Sequence, residues 1–330
     1  MGVVRGVGAV LAGTVAAALL TAVAPGSAGA PAPDRRTGAA RDAHVVAAPA
    51  AQATRRDARE TRRYWTPERM RAALPIEDVL PGLLLPAADT TGARTDRGTT
   101  TSERPVRWKR APRTTGKLFF RDGSSDFVCS ASAIRTKRRN QVITAGHCVH
   151  TGPNVGLLQQ PRFFSDWVFV PRYRDGKAPY GRWVGRNAFA FNGWIEDEAF
   201  RYDQAIITFK RHRGRRLVDA VGGNEVVWGK DQRQWGTTIW GWPAEAPYDG
   251  EVARTCTGRT TRFEDGADAA MHRCDLNGGA SGGPWFLPQG RTRHSGRIWA
   301  ITSRRVLDTP VLLARPLPRQ IRQMIRTANR

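Results

Sequence analysis

Short β-prone runs separated by turn residues make up most of the chain after residue 115, and this pattern constrains the fold more than any other feature. Gly, Pro, Asn and Asp stand between the runs, which is typical of an all-β sandwich or barrel. The runs are residues 118–120, 127–134, 141–144, 167–170, 205–209, 237–240, 298–302 and 311–313. Helical periodicity is clear only near the end, where Ile321, Met324 and Ile325 follow Pro316. We therefore expect an all-β fold with a C-terminal helix.

The first thirty residues have the parts of a secretory signal peptide. Arg5 is the only charge before Asp34, an apolar stretch runs from Gly6 to Ala24, and small residues follow it. An uncleaved membrane anchor is the alternative, but Gly, Thr and Ala dilute the stretch and no basic cluster follows closely. We expect residues 1–30 to be removed and the protein to be secreted and extracellular, without membrane attachment.

Residues 31–110 are predicted to form a propeptide or linker that is largely disordered. The part from 31 to 60 has almost no large apolar residue, so burial cannot offset the entropy of ordering it. A short helix is predicted at Thr66-Pro67-Glu68, where a capping residue precedes a proline. Lys109-Arg110 lies at the far end, in a stretch open to proteolysis. A flexible tail is the alternative; in either case the folded domain is expected at 111–330.

The charge balance favours anionic partners. The chain has 52 Lys and Arg against 29 Asp and Glu, a net charge of +23 at pH 7, and most of the excess lies after residue 100. Hydrophobic residues make up 40%, with 11 Trp and 12 Phe, which is enough for a core and excludes general disorder. A basic surface could bind polyanions; the alternative is two solvated loops. The candidate basic residues are Arg135, Lys137, Arg138, Arg139 and the run Lys210–Arg216.

The four cysteines are expected to form two disulfides. An even count in an exported chain implies bridges, and local pairing of Cys129 with Cys148 and of Cys256 with Cys274 is the simplest of three connectivities. The alternative is a metal site at His147–His150, but no Cys-x-x-Cys accompanies it. We therefore predict no metal, and nothing in the sequence calls for a cofactor.

A serine lies among glycines in the segment Gly279-Ala280-Ser281-Gly282-Gly283-Pro284. Such a turn can expose the hydroxyl and direct neighbouring backbone N–H groups to one point, as in an oxyanion hole. A glycine-rich turn with an idle serine is the alternative. The nucleophile elbow of α/β-hydrolases needs an acid and then a histidine after the serine. Only His294 follows Ser281 and no acid lies between them, so that fold is excluded.

A histidine and an aspartate precede this serine in positions that suit a catalytic base and its orienting acid. His147 ends the apolar run 142–148, and Asp203 opens the β-prone run 203–209. A lone histidine there would more often be structural, but it gains meaning together with Ser281. Asp166, Asp175 and Asp197 are competing acids, but none leads so directly into an apolar strand.

Thr-Ala-Gly-His-Cys, Asp-x-Ala-Ile-Ile and Gly-x-Ser-Gly-Gly-Pro, in this order, resemble the secreted trypsin/chymotrypsin-like serine proteases. The resemblance is greatest to their bacterial, actinobacterial glutamyl-endopeptidase-like branch and covers roughly residues 115–315. It implies two Greek-key six-stranded β-barrels with the active site in the cleft between them. His147 would be the general base, Asp203 would hold it, and Ser281 would attack the carbonyl. The N–H groups of Gly279 and Ser281 would form the oxyanion hole.

The resemblance predicts a secreted serine endopeptidase that cleaves polypeptides through an acyl-enzyme and acts as a monomer. One alternative is a catalytically idle polyanion-binding protein on a protease scaffold; another is an esterase using the same triad.

Two positions bear on activation and specificity. Trypsin-like zymogens carry an aspartate before the nucleophile, and here that residue is Ala280. We therefore expect removal of the pro-segment to relieve a blockage or complete folding. Asp275 matches the pocket aspartate that favours basic substrates, whereas Arg304-Arg305 would favour acidic ones, and both preferences stay open. The predicted pocket residues are Asp275, Thr302, Ser303 and Arg304.

Overall fold

The computed structural model describes residues 2, 40–49, 55–86, 110–154, 160–264, 267–288 and 296–330. The predicted signal peptide, apart from Gly2, and Lys109 of the predicted cleavage stretch lie outside these residues. No helix in the described part of the chain is long and apolar enough to cross a membrane.

Seventeen strands and five α-helices form the described structure. The strands are β1 (Val45–Ala47), β2 (Leu74–Pro75), β3 (Leu84–Leu85), β4 (Thr115–Asp122), β5 (Ser125–Ile134), β6 (Gln141–Thr144), β7 (Ser165–Pro171), β8 (Trp183–Phe191), β9 (Ala205–Phe209), β10 (Glu225–Val226), β11 (Thr237–Gly241), β12 (Arg254–Gly258), β13 (Thr261–Arg262), β14 (Ala269–His272), β15 (Pro284–Phe286), β16 (Arg297–Val306) and β17 (Val311–Pro316). The helices are α1 (Arg55–Tyr64), α2 (Pro67–Ala72), α3 (Asn192–Asp197), α4 (Leu217–Val221) and α5 (Ile321–Ala328).

Strands β4 to β9 close into a six-stranded barrel. Each strand pairs with the next in the order β4-β5-β6-β9-β8-β7, and β7 returns to β4. The buried side chains of these strands are largely apolar and aromatic, among them Phe119, Phe169 and Trp183. This closure places the ends of β6 and β9, which pair with each other, at one rim.

The second sheet has the order β12-β11-β15-β16-β17-β14-β13 and curls into a half-barrel. Its first and last strands are consecutive in the chain, because only residues 259–260 separate β12 from β13. The all-β, chymotrypsin-like two-barrel architecture is therefore confirmed, with the difference that the described strand pairs close only the first barrel completely. The predicted C-terminal helix is confirmed as α5, which buries Ile321 and Met324.

Every β-prone run predicted above lies in a strand, but β8 was not predicted. Its sequence Trp-Val-Gly-Arg-Asn-Ala-Phe-Ala-Phe lacks a clean apolar alternation. The register shift between Gly185 and Asn187, where β8 pairs with β9, explains the irregular pattern. Tertiary pairing, rather than local propensity, makes this segment a strand.

The residues 40–49 and 55–86 are folded against the barrels, which differs from the disorder that composition predicts for much of 31–110. Trp65 is fully buried, packs on Phe119 at 5.4 Å between ring centroids, and donates from Nε1 to the Asp166 carbonyl at 2.8 Å. A few large apolar residues placed on an existing sheet offset the ordering entropy that a free segment could not. The helix predicted at Thr66 is confirmed as α2, with Thr66 accepting from the Arg69 N–H at 3.3 Å.

Both predicted disulfides are present. Cys129 bonds Cys148, and Cys256 bonds Cys274. The first links β5 to the turn that carries His147, so it fixes the position of a predicted catalytic group.

Candidate active site

His147 and Asp203 come together at the rim of the first barrel. His147 lies in a 3₁₀ turn, Gly146–Cys148, after β6, and Asp203 directly precedes the neighbouring β9. The His147 Nδ1 lies 2.9 Å from Asp203 Oδ2, and the His147 backbone N–H donates to Asp203 Oδ1 at 2.9 Å. Both side chains are fully buried. Two bonds from one residue to one carboxylate set the position and the tilt of the imidazole.

Two further side chains hold this pair. Ser303 on β16 donates its hydroxyl to Asp203 Oδ2 at 2.6 Å. Trp194 on α3 lies edge-on to the imidazole, with 5.9 Å between ring centroids. Ser303, predicted as a pocket residue, thus also binds Asp203 from the opposite sheet.

Ser281 lies in the turn before β15, where glycine is required by the backbone. Gly279 and Gly282 have φ of +89° and +75°, and a β-carbon on Gly282 would lie 2.0 Å from Thr144 Oγ1. The turn that carries Ser281 therefore packs directly on the end of β6, which lies two residues before the turn that carries His147. This contact brings Ser281 to the cleft side of His147.

Ser130 on β5 connects the turn that carries Ser281 to the first barrel by hydrogen bonds. Its hydroxyl donates to the Gly279 carbonyl at 2.9 Å and accepts from the Trp242 N–H at 2.9 Å. Its backbone N–H donates to the Ser281 carbonyl at 2.7 Å. Ser130 could not be recognised as a functional residue from sequence, because a serine in an apolar strand carries no signal of its own.

Glu77, from the front segment, occupies the centre of the site. One carboxylate oxygen accepts a hydrogen bond from Ser281 Oγ, and the other accepts from the Gly279 N–H at 3.1 Å. The His147 Nε2 atom is buried without a hydrogen-bond partner, so the Ser281 hydroxyl is directed to Glu77 and not to the imidazole. No sequence signal marked Glu77, which stands in a short run between two strands of two residues.

The surroundings raise the pKa values of both Glu77 and His147. Burial raises the pKa of the Glu77 carboxyl above its usual value, against the opposing effects of His147 and of the bonds from Ser281 and Gly279. Burial alone would lower the pKa of His147, but the charge and hydrogen bond of Asp203, with Glu77 nearby, raise it. The raised pKa makes the His147 imidazole a stronger proton acceptor.

The cavity beside Ser281 is almost filled. Only about 10 Å³ remains, at the limit for one water molecule. Its lining residues are Glu77, Leu83, Asn277, Ser281, Thr302, Ser303, Arg304, Arg305 and Leu312. Of the predicted pocket residues, Thr302, Ser303 and Arg304 line it.

Asp275 does not line this cavity. It is exposed and accepts from the Tyr248 hydroxyl at 2.5 Å. The preceding Cys274 is held by its disulfide and by the bond from its N–H to the Pro310 carbonyl, at 2.9 Å. This anchoring leaves Asp275 on the outer surface, so the structure does not bring it to the cleft. The buried carboxylate nearby is Asp268, which pairs with Arg304 and Arg315.

Among the described residues, one group of side chains of the kinds that ligate metal ions lies close together: Cys129, His147 and Cys148. Its donor atoms lie within 4.8 Å of one another. Both cysteines are joined in a disulfide and His147 binds Asp203, so these side chains do not offer a set of free ligands.

Parts of the two basic runs predicted above meet in one groove, whereas Arg135, Arg139 and Arg215 do not line it. Together with α1 and the end of α5 they line a groove of about 1280 Å³. Its cationic lining residues are Arg59, Arg62, Lys137, Arg138, Arg186, Lys210, Arg211, Arg213, Arg216 and Arg330. No described acidic side chain lines it. Two runs that are 70 residues apart in sequence thus form one surface.

Comparison with solved structures identifies proteases of similar fold. The protease Anisep from Arthrobacter nicotinovorans is 28% identical, with a TM-score of 0.59 over 67% of this chain and 97% of that chain. The thermostable serine protease AL20 from an extremophilic microorganism is 28% identical, with a TM-score of 0.59 over 66% and 96%. A Glu endopeptidase, 20% identical with a TM-score of 0.51 over 66% and 91%, shares the fold. No protein-family model matches the chain, and no curated protein matches it significantly in sequence.

The resemblance to trypsin/chymotrypsin-like serine proteases is thus confirmed, and it supports a protease function. The glutamyl-endopeptidase-like branch stays a prediction.

Proposed function

We propose that this chain is the precursor of a secreted serine endopeptidase that cleaves peptide bonds through His147, Asp203 and Ser281. One observation carries the proposal: the Asp203–His147 pair adjoins a serine hydroxyl and a backbone N–H that bind the same carboxylate. Hydrogen-bond donors that hold a carboxylate can equally hold the negative oxygen of a tetrahedral intermediate.

In the proposed reaction His147 Nε2 takes the proton of Ser281 Oγ as this oxygen bonds to the substrate carbonyl carbon. Asp203 keeps the other imidazole proton on Nδ1, which leaves Nε2 free as the acceptor. The carbonyl oxygen becomes negative and is stabilised by the N–H groups of Gly279 and Ser281. The proton then passes from Nε2 to the leaving amine, and an acyl-enzyme remains.

Deacylation repeats these steps with water. His147 takes a proton from the water, the hydroxide adds to the ester carbon, and Ser281 Oγ leaves with the proton that returns from Nε2. The raised pKa of His147 makes it a stronger base for both steps.

A fluorophosphonate probe tests this proposal. After residues up to the predicted Lys109-Arg110 site have been removed, we expect one adduct by intact mass, lost in Ser281→Ala and slowed strongly in His147→Ala. The same sample should hydrolyse peptides, and a preference for simple esters alone would favour the esterase alternative. Folded, processed protein without an adduct would overturn the proposal.

The cavity residues bear on the choice between basic and acidic substrates. Arg304 and Arg305 line the cavity, and its only carboxylate is that of Glu77 from the front segment. Because the mature part contributes no carboxylate there, an arginine or lysine side chain would lack a partner. We expect acidic or neutral residues to be accepted ahead of basic ones, which a library of peptides differing only before the cut would measure.

A second candidate function is binding of a linear polyanion, favoured by the basic groove. Eight of the ten cationic side chains belong to residues 111–330 and no described acidic side chain lines the groove, so it would attract repeated sulfate or phosphate groups also after the front segment is removed. This function is compatible with proteolysis, because the groove lies apart from Ser281.

Heparin serves as the probe for the groove. We expect Arg211→Gln with Arg213→Gln to elute from heparin at lower salt than Arg262→Gln with Arg297→Gln, exposed arginines of the second sheet. Equal elution of the two double variants would show that retention reflects net charge only.

A further inference from the structure

The segment from Leu74 to Leu85 crosses the cleft and pairs with both barrels. At one end β2 pairs with β5 in parallel, with Leu74 opposite Phe127. At the other end β3 pairs with β16 in parallel, with Leu84 opposite Arg305. The cleft segment, as we call residues 74–85, is therefore attached on each side of Ser281.

Apolar anchors seat the cleft segment on either side of Glu77. Ile76 is fully buried and Leu83 is 1% exposed. Leu83 contributes to the cavity beside Ser281, where it takes up space that a substrate side chain would need. Pro75 lies so close to Gly278 that a β-carbon there would be 2.9 Å from Pro75 Cβ. The segment therefore contacts the cleft through Pro75, Ile76, Glu77 and Leu83, whereas Leu74 and Val79 are exposed.

Glu77 binds the two groups that the proposed reaction requires. One oxygen of its carboxylate accepts a hydrogen bond from the Ser281 hydroxyl, and the other accepts one from the Gly279 N–H. The side chain is 5% exposed, so water does not compete for these bonds. A buried carboxyl without such partners would be strongly destabilising, and these two donors compensate for its burial.

The group held at the oxyanion position is a side-chain carboxylate, not a peptide carbonyl. The Ser281 hydroxyl bonds a side-chain oxygen of the segment, so its proton is directed away from His147 Nε2. In this arrangement the segment occupies the site without being a substrate.

We propose that residues 74–85 are a built-in inhibitor of this protease, and that the Glu77 carboxylate is the group that blocks the nucleophile and the oxyanion hole. This inference rests on the proposed function, because it assigns Glu77 to the same site. It also predicts that activation requires release of the segment after cleavage elsewhere in the front part.

The test compares labelling rates of intact precursors by a fluorophosphonate, read by mass on the uncleaved chain only. We expect Glu77→Ala to label about 10- to 100-fold faster than wild type, as loss of hydrogen bonds to a charged group implies. Glu68→Ala is the matched control, since Glu68 is an exposed glutamate of α2, outside residues 74–85 and just before them in the chain. It should label at the wild-type rate.

Each outcome separates the inference from the proposed function. Processed wild-type protein that does not label contradicts the function itself. If it labels, but the Glu77→Ala precursor stays as slow as wild type, or the wild-type precursor is already as fast as the processed protein, the inhibitor assignment is wrong.

A peptide measurement covers the case in which Glu77→Ala disturbs folding. A synthetic peptide of residues 70–86 should inhibit the processed enzyme competitively, and its Glu77→Ala version should be at least tenfold weaker. Equal inhibition by the two peptides would overturn the role of Glu77.

Discussion

The two barrels differ in how they bury their interiors. The first is closed, and its core holds ring pairs such as Phe120 with Phe164, stacked at 4.9 Å between centroids. The second sheet is a half-barrel that buries a carboxylate, Asp268, between Arg304 and Arg315. The first barrel therefore relies mainly on apolar burial, although it also buries Lys117 and the Asp203–His147 pair, whereas the half-barrel holds a cluster of one carboxylate and two arginines.

This difference matters because the proposed triad is divided between the two regions. His147 and Asp203 belong to the apolar barrel, whereas Ser281 belongs to the half-barrel. One serine from each sheet forms a hydrogen bond to the other region: Ser130 of the first barrel donates to the Gly279 carbonyl, and Ser303 of the half-barrel donates to Asp203. The catalytic geometry thus depends on both kinds of core, and each can be disturbed separately.

The largest effect is expected at the acid of the first barrel. Asp203→Asn leaves the size of the side chain unchanged, but it stabilises the wrong tautomer of His147, so kcat/KM of the processed enzyme should fall about ten thousandfold. Asp219→Asn, on a surface pair with Arg139, is the control and should keep full activity. A loss below tenfold in Asp203→Asn would mean that another group orients the histidine.

Asp268→Asn tests the ion cluster of the half-barrel. It leaves Arg304 and Arg315 without their buried counter-ion and should lower the free energy of unfolding by about 3–5 kcal/mol in urea. Asp122→Asn, which breaks a partly exposed pair with Arg162 in the first barrel, should cost under about 1 kcal/mol. If the two variants lost the same free energy of unfolding, the buried ion cluster would not contribute more to stability than the partly exposed pair.

The two disulfides close loops of similar length, with separations of 19 and 18 residues. Chain entropy therefore predicts about 3 kcal/mol for each when its cysteines are changed to alanine. Only loss of Cys129–Cys148 should also slow the fluorophosphonate reaction, because Cys148 adjoins His147. A similar slowing on loss of Cys256–Cys274 would argue that the two barrels are coupled more tightly than their cores suggest.

The smallest effect concerns acid stability of the first barrel. Burial, with a smaller contribution from Arg162, lowers the pKa of His150 to about 4, from an ordinary value of about 6.5. Between these values the unfolded chain binds a proton that the folded chain does not. Unfolding is therefore favoured as pH falls, by about 2 kcal/mol from pH 6 to 4.5.

Urea unfolding at several pH values measures this slope. His150→Gln should flatten it, whereas His272→Gln, at an exposed histidine of the half-barrel, should leave most of it. An unchanged slope in His150→Gln would assign the acid sensitivity to other groups.

The β-runs, both disulfides and the terminal helix could be predicted from sequence, because local alternation, cysteine number and helical period are properties of neighbouring residues. The resemblance to the protease family could likewise be recognised from the motifs around His147, Asp203 and Ser281 and from their order in the chain. Strand β8 could not be predicted, since pairing on both of its edges, rather than its own alternation, makes it a strand.

The sequence by itself determined the class of fold, the expectation of two disulfides and which residues compete for the catalytic roles. Only the tertiary structure decided that Glu77 meets Ser281, that Asp275 faces outward while Ser303 binds Asp203, and that two distant basic runs share one groove. The physical reason is range: hydrogen bonding and burial at these positions join residues far apart in the chain, and local patterns carry no record of such contacts.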